Sequence, residues 1–354
     1  MAASIGIDER AGAPRAPRPA PAAVARRRRL GLIAVIVVLV AVALLSVAIG
    51  ARGIAPGRVW ELLWHPDGSD ESIIVHDLRI PRTILGLLVG SALGVAGALM
   101  QGLTRNPLAD PGLLGVNAGA SVAIVAAVAL LGTTNPLVYI WFSFAGAAFA
   151  AILVYGLGAT GRSGATPVRL ALAGTAVTAA LMAIVYGITL IDRQAFITYN
   201  FWSVGSLAAA DGVLNRQIAP FIGVGLLIAL ALARPLNAIG LGDDAGRALG
   251  AHPGRTRALG ALSVTLLCGA ATAAAGPIVF VGLTVPHVAR AIAGTDQRWV
   301  LPYSAVLAGI LLLGADIIGR WIERPSELQV GIVTAVIGAP VFIALVRRRR
   351  IAQL

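Results

Sequence analysis

The sequence predicts an all-α polytopic membrane protein, and three observations carry that prediction. Of 354 residues, 58% are hydrophobic and only 12% charged, with a mean hydropathy of +0.85, whereas soluble domains carry roughly 25% charged residues. Apolar stretches long enough to cross a bilayer recur along the chain, a crossing needing about 20 such residues. All 28 basic residues are Arg, and they collect at the ends of these stretches, where positive charge orients a membrane protein. The net charge of +12 is therefore read as orientation in the membrane, and nucleic-acid binding is set aside. The one cysteine, Cys268, lies in an apolar run, which excludes disulfides, thiolate metal sites and redox pairs within a single chain. Without Lys the chain has no standard Gly-Lys-[Ser/Thr] phosphate loop, so any ATP-driven step needs another polypeptide.

Taken in order, residues 1–29 are rich in Ala, Pro and Arg, end in Arg26-Arg27-Arg28-Arg29, and are expected to form a disordered cytoplasmic tail. Residues 30–50 are uncharged and form the first span; a twin-arginine export signal competes, but the length and the lack of a small-x-small cleavage site count against it. Residues 51–81 are polar, with Trp60 and Trp64 suited to an interface and Asp67, Asp70, Glu71 and Asp77 suited to water, and form an outer loop. The loop ends in Leu78-Arg79-Ile80-Pro81-Arg82. Its two arginines are either interfacial anchors or a receptor for a partner's carboxylates.

The second span, 83–103, carries Gly86, Gly90 and Gly94 on one face, a flat stripe for close helix packing, and Gly115 and Gly119 repeat the spacing. Between these, residues 101–111 with Pro107 and Pro111 are expected to make a tight inner turn. The remaining spans are expected at 113–131, 136–157, 168–191, 215–233, 256–275, 278–294, 300–319 and 328–346, ten in all within one permease domain, 30–347, followed by a basic cytoplasmic end, 348–354. The run 278–285, held between Gly276-Pro277 and Pro286-His287, is too short to cross alone and is expected to join a bent or broken helix. Residues 198–211 fit a short helix outside the membrane. With both termini inside, 20 arginines fall on the inner side and eight on the outer, which supports that orientation.

The polar, Gly-rich stretch 236–257 then lies in the cytoplasm. Asp243 and Asp244 would open a short helix and Gly250 close it, and Ala245, Gly246, Ala248 and Gly250 would let another protein come close to its backbone. A solvated connector and a docking element explain the stretch equally well on these grounds. The spans hold almost no acid besides Asp316, which counts against an ion-coupled carrier. His65, His76, His252 and His287 show no ligand spacing, so no metal site is expected, and no catalytic set can be assembled from one side of the membrane.

Seven segments in order resemble the FecCD family, the membrane permeases of bacterial ABC importers for iron-siderophores, haem and cobalamin. They are Leu78 to Arg82; Gln101 through Arg105-Asn106-Pro107 to Gly115; Trp202-x-x-Gly205-Ser206-Leu207; Leu241-Gly242 to Ala248-Leu249-Gly250; Gly276-Pro277 to Gly282-Leu283 with Pro286-His287-x-x-Arg290; Asp316 to Arg320; and Gly331 to Phe342. The resemblance implies a type II importer permease with ten helices in a bacterial cell (inner) membrane, paired with a second permease, and with no cofactor of its own. Two ATPase subunits carrying ATP and Mg would dock inside, and a loaded binding protein outside. Gly240, Leu241, Gly242, Asp243, Asp244, Ala245, Arg247, Ala248, Leu249 and Gly250 would form the coupling helix, and Arg79, Arg82, Arg320 and Arg324 would receive the binding protein. Replacing Arg79 and Arg82 by Glu is then expected to cripple uptake and leave the protein folded. A stand-alone ion-coupled transporter is the alternative.

Overall fold

A computed structural model describes residues 21–133, 135–159 and 167–347, and every regular element among them is helical. Residues 1–20 of the expected tail, the inner loop around Arg162 and the basic end 348–354 lie outside the described residues. The rest of the tail departs from expectation: α1 (Pro21–Ala48) starts at Pro21, so Arg26–Arg29 are helical. A proline at the first helical position followed by Ala and Arg, both good helix formers, extends the span's helix past its apolar part.

Polar residues 51–79 fold into α2 (Pro56–Trp64), α3 (Asp70–Ile73), capped by Ser69 Oγ accepting from Ser72 N–H, and a wider π turn, Ile74–Arg79. There follow α4 (Ile80–Thr104), α5 (Val116–Leu131), α6 (Pro136–Ala159), α7 (Pro167–Ile191), α8 (Arg193–Ser203) and α9 (Gly212–Ala231). The chain closes with α10 (Ala233–Gly240), α11 (Asp243–Ala248), α12 (Pro253–Ala275), α13 (Val281–Ala293), α14 (Gln297–Ile322) and α15 (Val330–Arg347). Each expected span thus has its helix. Seven are long and apolar enough to cross a membrane, while α5, α13 and α15 offer shorter apolar lengths. One end of the bundle carries α2, α3 and α8, the other α10 and α11; they are called here the α2 face and the α11 face.

Helix α4 is the axis of the bundle, packed by α9, α12, α13 and α14. Its glycine stripe faces α14: a Cβ on Gly94 would stand 2.3 Å from the Ser304 carbonyl oxygen, and one on Gly90 2.8 Å from Gly309 Cα. Gly119 makes the same close approach to Gly146 between α5 and α6. Closer than these is the crossing of α4 on α13, where a Cβ on Gly97 would lie 1.8 Å from the Gly282 carbonyl oxygen. Gly97→Ala is expected to force the two backbones apart at a cost of about 1–3 kcal/mol, the usual range for overpacking. Thermal unfolding in detergent measures it, and an unchanged midpoint would contradict this packing.

Two segments do more than make the expected simple turns. The expected inner turn forms at Asn106–Ala109, where Ala109 N–H donates to the Asn106 carbonyl at 3.1 Å, but the chain does not pass from it straight into the next helix. Leu103 lies against Gly260 near the start of α12, whereas Asn117 Oδ1 accepts from Thr272 Oγ1 at 3.0 Å, and those α12 positions are about 18 Å apart at 1.5 Å per residue. The segment therefore climbs back into the bundle. Its own side chains pair part of its backbone: at the exposed turn Asn106 Oδ1 accepts from Leu108 N–H at 2.9 Å, and further in Asp110 Oδ1 accepts from Gly112 N–H at 2.7 Å, opening a 3-10 turn at Pro111–Leu114.

The break expected near 278–285 falls at 276–280, where Gly276 (φ +73°) and Phe280 (φ +68°) leave the helical region. Helix α13 then runs through Pro286 instead of stopping there. Proline removes the N–H that would bond to the residue four before it, here Gly282. Gln101 Nε2 compensates by donating to the Gly282 and Leu283 carbonyls at 3.4 and 3.1 Å.

Candidate functional site

Helix α11 is short and lies at the edge of its face. Gly242 (φ +113°) precedes it, and Gly250 (φ +81°) follows it with an N–H donating to the Arg247 carbonyl at 2.9 Å. Both glycines hold positive φ, where a Cβ is strained. The expected helix is therefore present, but its carboxylates divide. Asp244 is fully exposed and pairs at 3.0 Å with Arg247, itself 63% exposed, so that pair contributes little to stability. Asp243 turns inward instead: Arg257 Nη2 of α12 donates to both its oxygens at 2.9 Å, and Arg105 Nη2 at the end of α4 donates to Oδ1. Arg105 sits at φ +50°, outside the helical region. The close approach expected at Gly246 is made by the chain itself, because Gly246 is buried with a Cβ position 3.3 Å from the Ala238 carbonyl and Ile239 Cα of α10. What remains outward is Leu241 and Leu249, 70% and 65% exposed, with Asp244, Ala245, Arg247, Ala248 and Gly250, while Gly240 ends α10. The α11 unit is thus a free outer surface on a root fixed to α4 and α12.

At the α2 face the arginines are not the exposed receptor that the sequence suggests. Arg79 and Arg320 are 4% and 2% exposed and cap the end of α1. Arg79 donates to the carbonyls of Val47, Ala48 and Arg52 at 3.0, 2.8 and 2.6 Å, and Arg320 to those of Ser46 and Ile49 at 3.0 and 2.8 Å and to Ser46 Oγ at 2.9 Å. A helix C-terminus leaves four carbonyls unpaired and favours positive charge. Α cation from another element satisfies both needs. Arg82 is also buried, with Nε and Nη2 on Asp316 at 3.1 and 2.8 Å and Nη1 on Glu327, and Arg320 Nη2 reaches the other Asp316 oxygen at 3.0 Å. Asp316 is fully buried. Arg324 alone of the four is exposed. Arg79, Arg82 and Arg320 still line one wall of a cavity of about 300 Å³ with Arg52 and Glu327. Reversing the charge of Arg79 and Arg82 would therefore break buried bonds as well as alter a surface.

The other motif residues join elements. His287 Nε2 contacts the Pro107 carbonyl at 2.9 Å, and Arg290 Nη2 donates to Gln101 Oε1, so α13 is tied both to the climbing segment after Asn106 and to α4. Gly276 lies where a Cβ would be 2.2 Å from the Trp202 carbonyl, and the Pro277 carbonyl abuts Gly205, whose own carbonyl accepts from Gly331 N–H at 3.1 Å. These contacts bring three of the seven segments to one point. Thr198, Trp202, Ser206 and Asp211 line a cavity of about 510 Å³ on the α2 face. Among the described residues no group of three His, Cys, Asp or Glu side chains could hold a metal.

Sequence reasoning missed the participation of Arg257, Glu327 and Ser46. Only the Asp316–Arg320 pair, four residues apart on a helix, was signalled by spacing.

A helical bundle with span-length apolar helices, a re-entrant segment, a broken helix and polar fixtures at its two ends is a multi-pass membrane transport protein. The chain belongs to the FecCD transport family, whose model matches residues 37–348. It is 48% identical over 306 residues to the ferric enterobactin transport system permease protein FepD of Escherichia coli (strain K12), covering 86% of this chain and 91% of that one. It is 42% identical to YfiZ of Bacillus subtilis (strain 168), named as a siderophore transport system permease protein, over the same shares. Among solved structures it is similar to an inward-facing metal-chelate type ABC transporter, with a TM-score of 0.78, 25% identity, and 89% of this chain and 98% of that one covered.

Proposed function

We propose that this permease carries a ferric siderophore across a bacterial cell membrane, taking it from a binding protein at the α2 face and driven by a separate ATPase pair at the α11 face. The chain contributes no ATP site; ATP and Mg belong to the partner. A second permease, identical or similar, completes the path, and both termini are cytoplasmic. The siderophore cargo is supported by the names of FepD and YfiZ. The observation that carries the coupling is the division of α11 into an exposed surface of Leu241, Asp244, Arg247 and Leu249 and a root at Asp243 fastened to α4 and α12. A connector would not need such a root. Binding-protein docking is supported by the basic cavity beside Arg324, with Arg324 rather than Arg79 or Arg82 as the first point of contact; exposed charges of this type steer docking more than they tighten it.

The ion-coupled alternative is weakened by Asp316, the acid placed within a span, because both its oxygens are occupied by Arg82 and Arg320. To test the coupling, Leu249→Cys is introduced in the assembled transporter and a short thiol cross-linker applied. A cross-link to the ATPase at this position and none from a cysteine on the α2 face is expected. The reverse pattern would overturn the assignment.

A further inference from the structure

The α10–α11 unit is held at a second place, away from Asp243. Half-buried Asn237 lies on α10, and both ends of its amide bond to the turn that opens α14. Its Nδ2 donates to Asp296 Oδ1 at 2.7 Å, and its Oδ1 accepts from the Gln297 N–H at 2.9 Å. The first N–H groups of a helix have no partner within it. Asp296, the N-cap of α14, accepts from the Arg298 N–H at 3.0 Å, and Asn237 serves the N–H before it from another element. The Asp296 carboxyl is held down to about 2, first by the Arg298 hydrogen bond and further by that of Asn237, so it meets the amide ionised. The joint is packed as well as bonded. Leu236 is 2% exposed, and it and Gln297 Nε2 lie 3.6 and 3.5 Å from where a Cβ on Gly102 of α4 would stand.

What this joint holds reaches the opposite face. Helix α11 rests on α10 at Gly246, so the two short helices form one unit. Helix α14 carries Gln297 at its start and Asp316 and Arg320 near its end, with about 28 Å between Gln297 and Asp316 at 1.5 Å per residue. Helix α1 is bonded to α14 at both ends. Tyr303 Oη donates to the Arg28 carbonyl at 2.7 Å, and Arg320 Nη1 to the Ser46 and Ile49 carbonyls at 3.0 and 2.8 Å. Asp243, by contrast, is fastened to α4 and α12. Two side chains of the unit therefore hold two different sets of helices.

We propose that Asn237 is a positioning residue of the transport cycle: it makes α14, and α1 with it, follow the α10–α11 unit, which links the ATPase to the arginine network at the α2 face along one helix. This joint presupposes the coupling assigned to α11 above. A coupling free energy acts in both directions, so a loaded binding protein at the α2 face should raise ATP hydrolysis through the same joint.

The test uses the assembled importer in lipid nanodiscs and reads ATP hydrolysis with and without loaded binding protein. The unmodified complex is expected to be stimulated. Asn237→Ala should keep the unstimulated rate and lose roughly fivefold or more of the stimulation, the low end for such a coupling. Asn237→Asp, which sets a second carboxylate against Asp296, should lose at least as much. Combining Asn237→Asp with Asp296→Asn should restore most of the stimulation, because the bond between amide and carboxylate is re-formed with its ends exchanged while the Gln297 and Arg298 N–H groups keep their acceptors. A lowered thermal unfolding midpoint with parallel loss of both rates would mean a merely structural joint and overturn the proposal. Full stimulation in Asn237→Ala, or no recovery in the exchanged pair, would do the same. An unmodified complex that the binding protein fails to stimulate would instead refute the coupling of α11 itself, and the joint with it.

Discussion

Asp316→Ala is expected to be the most damaging single change at the α2 face. It would leave Arg82 and Arg320 buried without their shared carboxylate, Arg82 keeping only Glu327 and Arg320 only the carbonyls and hydroxyl at the end of α1. Breaking a buried pair from one side costs about 3–5 kcal/mol, because the remaining charge is uncompensated. Here two charges remain. The amount of folded protein recovered from membranes should fall sharply, and thermal unfolding of what remains should move down. Arg82→Glu should do the same, since it sets three carboxylates together where Asp316 and Glu327 already stand. If either variant were recovered in full with an unchanged midpoint, the buried network would not be what holds α1, α4 and α14 together.

Asp243→Asn should leave a folded protein that transports poorly. Both arginines at this carboxylate are partly exposed, at 33% and 16% of their side chains, so the loss in stability is modest. The effect belongs to transmission. On the proposed coupling, movement of an ATPase against α11 would reach α4 through Arg105 and α12 through Arg257, and without the shared carboxylate α11 would shift while both helices stay in place. Coupling free energies of about 1–3 kcal/mol correspond to roughly 5- to 150-fold, and uptake per ATP hydrolysed should fall within that range. ATP hydrolysis itself should persist. Arg105→Gln and Arg257→Gln should each reproduce part of the loss, and adding either to Asp243→Asn should do little more, as for residues in one network. Parallel loss of hydrolysis and uptake, or additive losses, would mean that the root of α11 is merely structural.

The contrast between Asp243 and Asp244 shows where sequence reasoning stops. Adjacent carboxylates at a helix start look alike in a sequence, and both fit the positive end of the helix dipole. Their fates are set by partners on α4 and α12, and no local pattern reports those. The ten spans were legible because apolar length and arginine placement are local properties of each stretch. The glycine stripe from Gly86 to Gly94 was legible for the same reason, and it packs closely, against α14. The outer arginines illustrate the opposite case. Their position at a span boundary suggested exposure, but the unpaired carbonyls at the end of α1 and the buried Asp316 draw three of them inside. The tight turn that two prolines suggested within 101–111 does form, at Asn106–Ala109, but nothing local signalled that the chain then enters the bundle, where Asn117 Oδ1 accepts from Thr272 Oγ1. In each instance the missing information was a long-range partner for a polar group.

On the function proposed above, this permease works only as part of an ATP-driven importer. Its most direct test is uptake of a radiolabelled ferric siderophore into proteoliposomes containing this chain, its partner permease and the ATPase, with binding protein outside and ATP trapped within. Uptake that requires ATP, the ATPase and the binding protein together, and that survives collapse of every ion gradient, is the predicted result. Uptake by the permease alone, driven by a proton or sodium gradient and indifferent to ATP, would contradict the account.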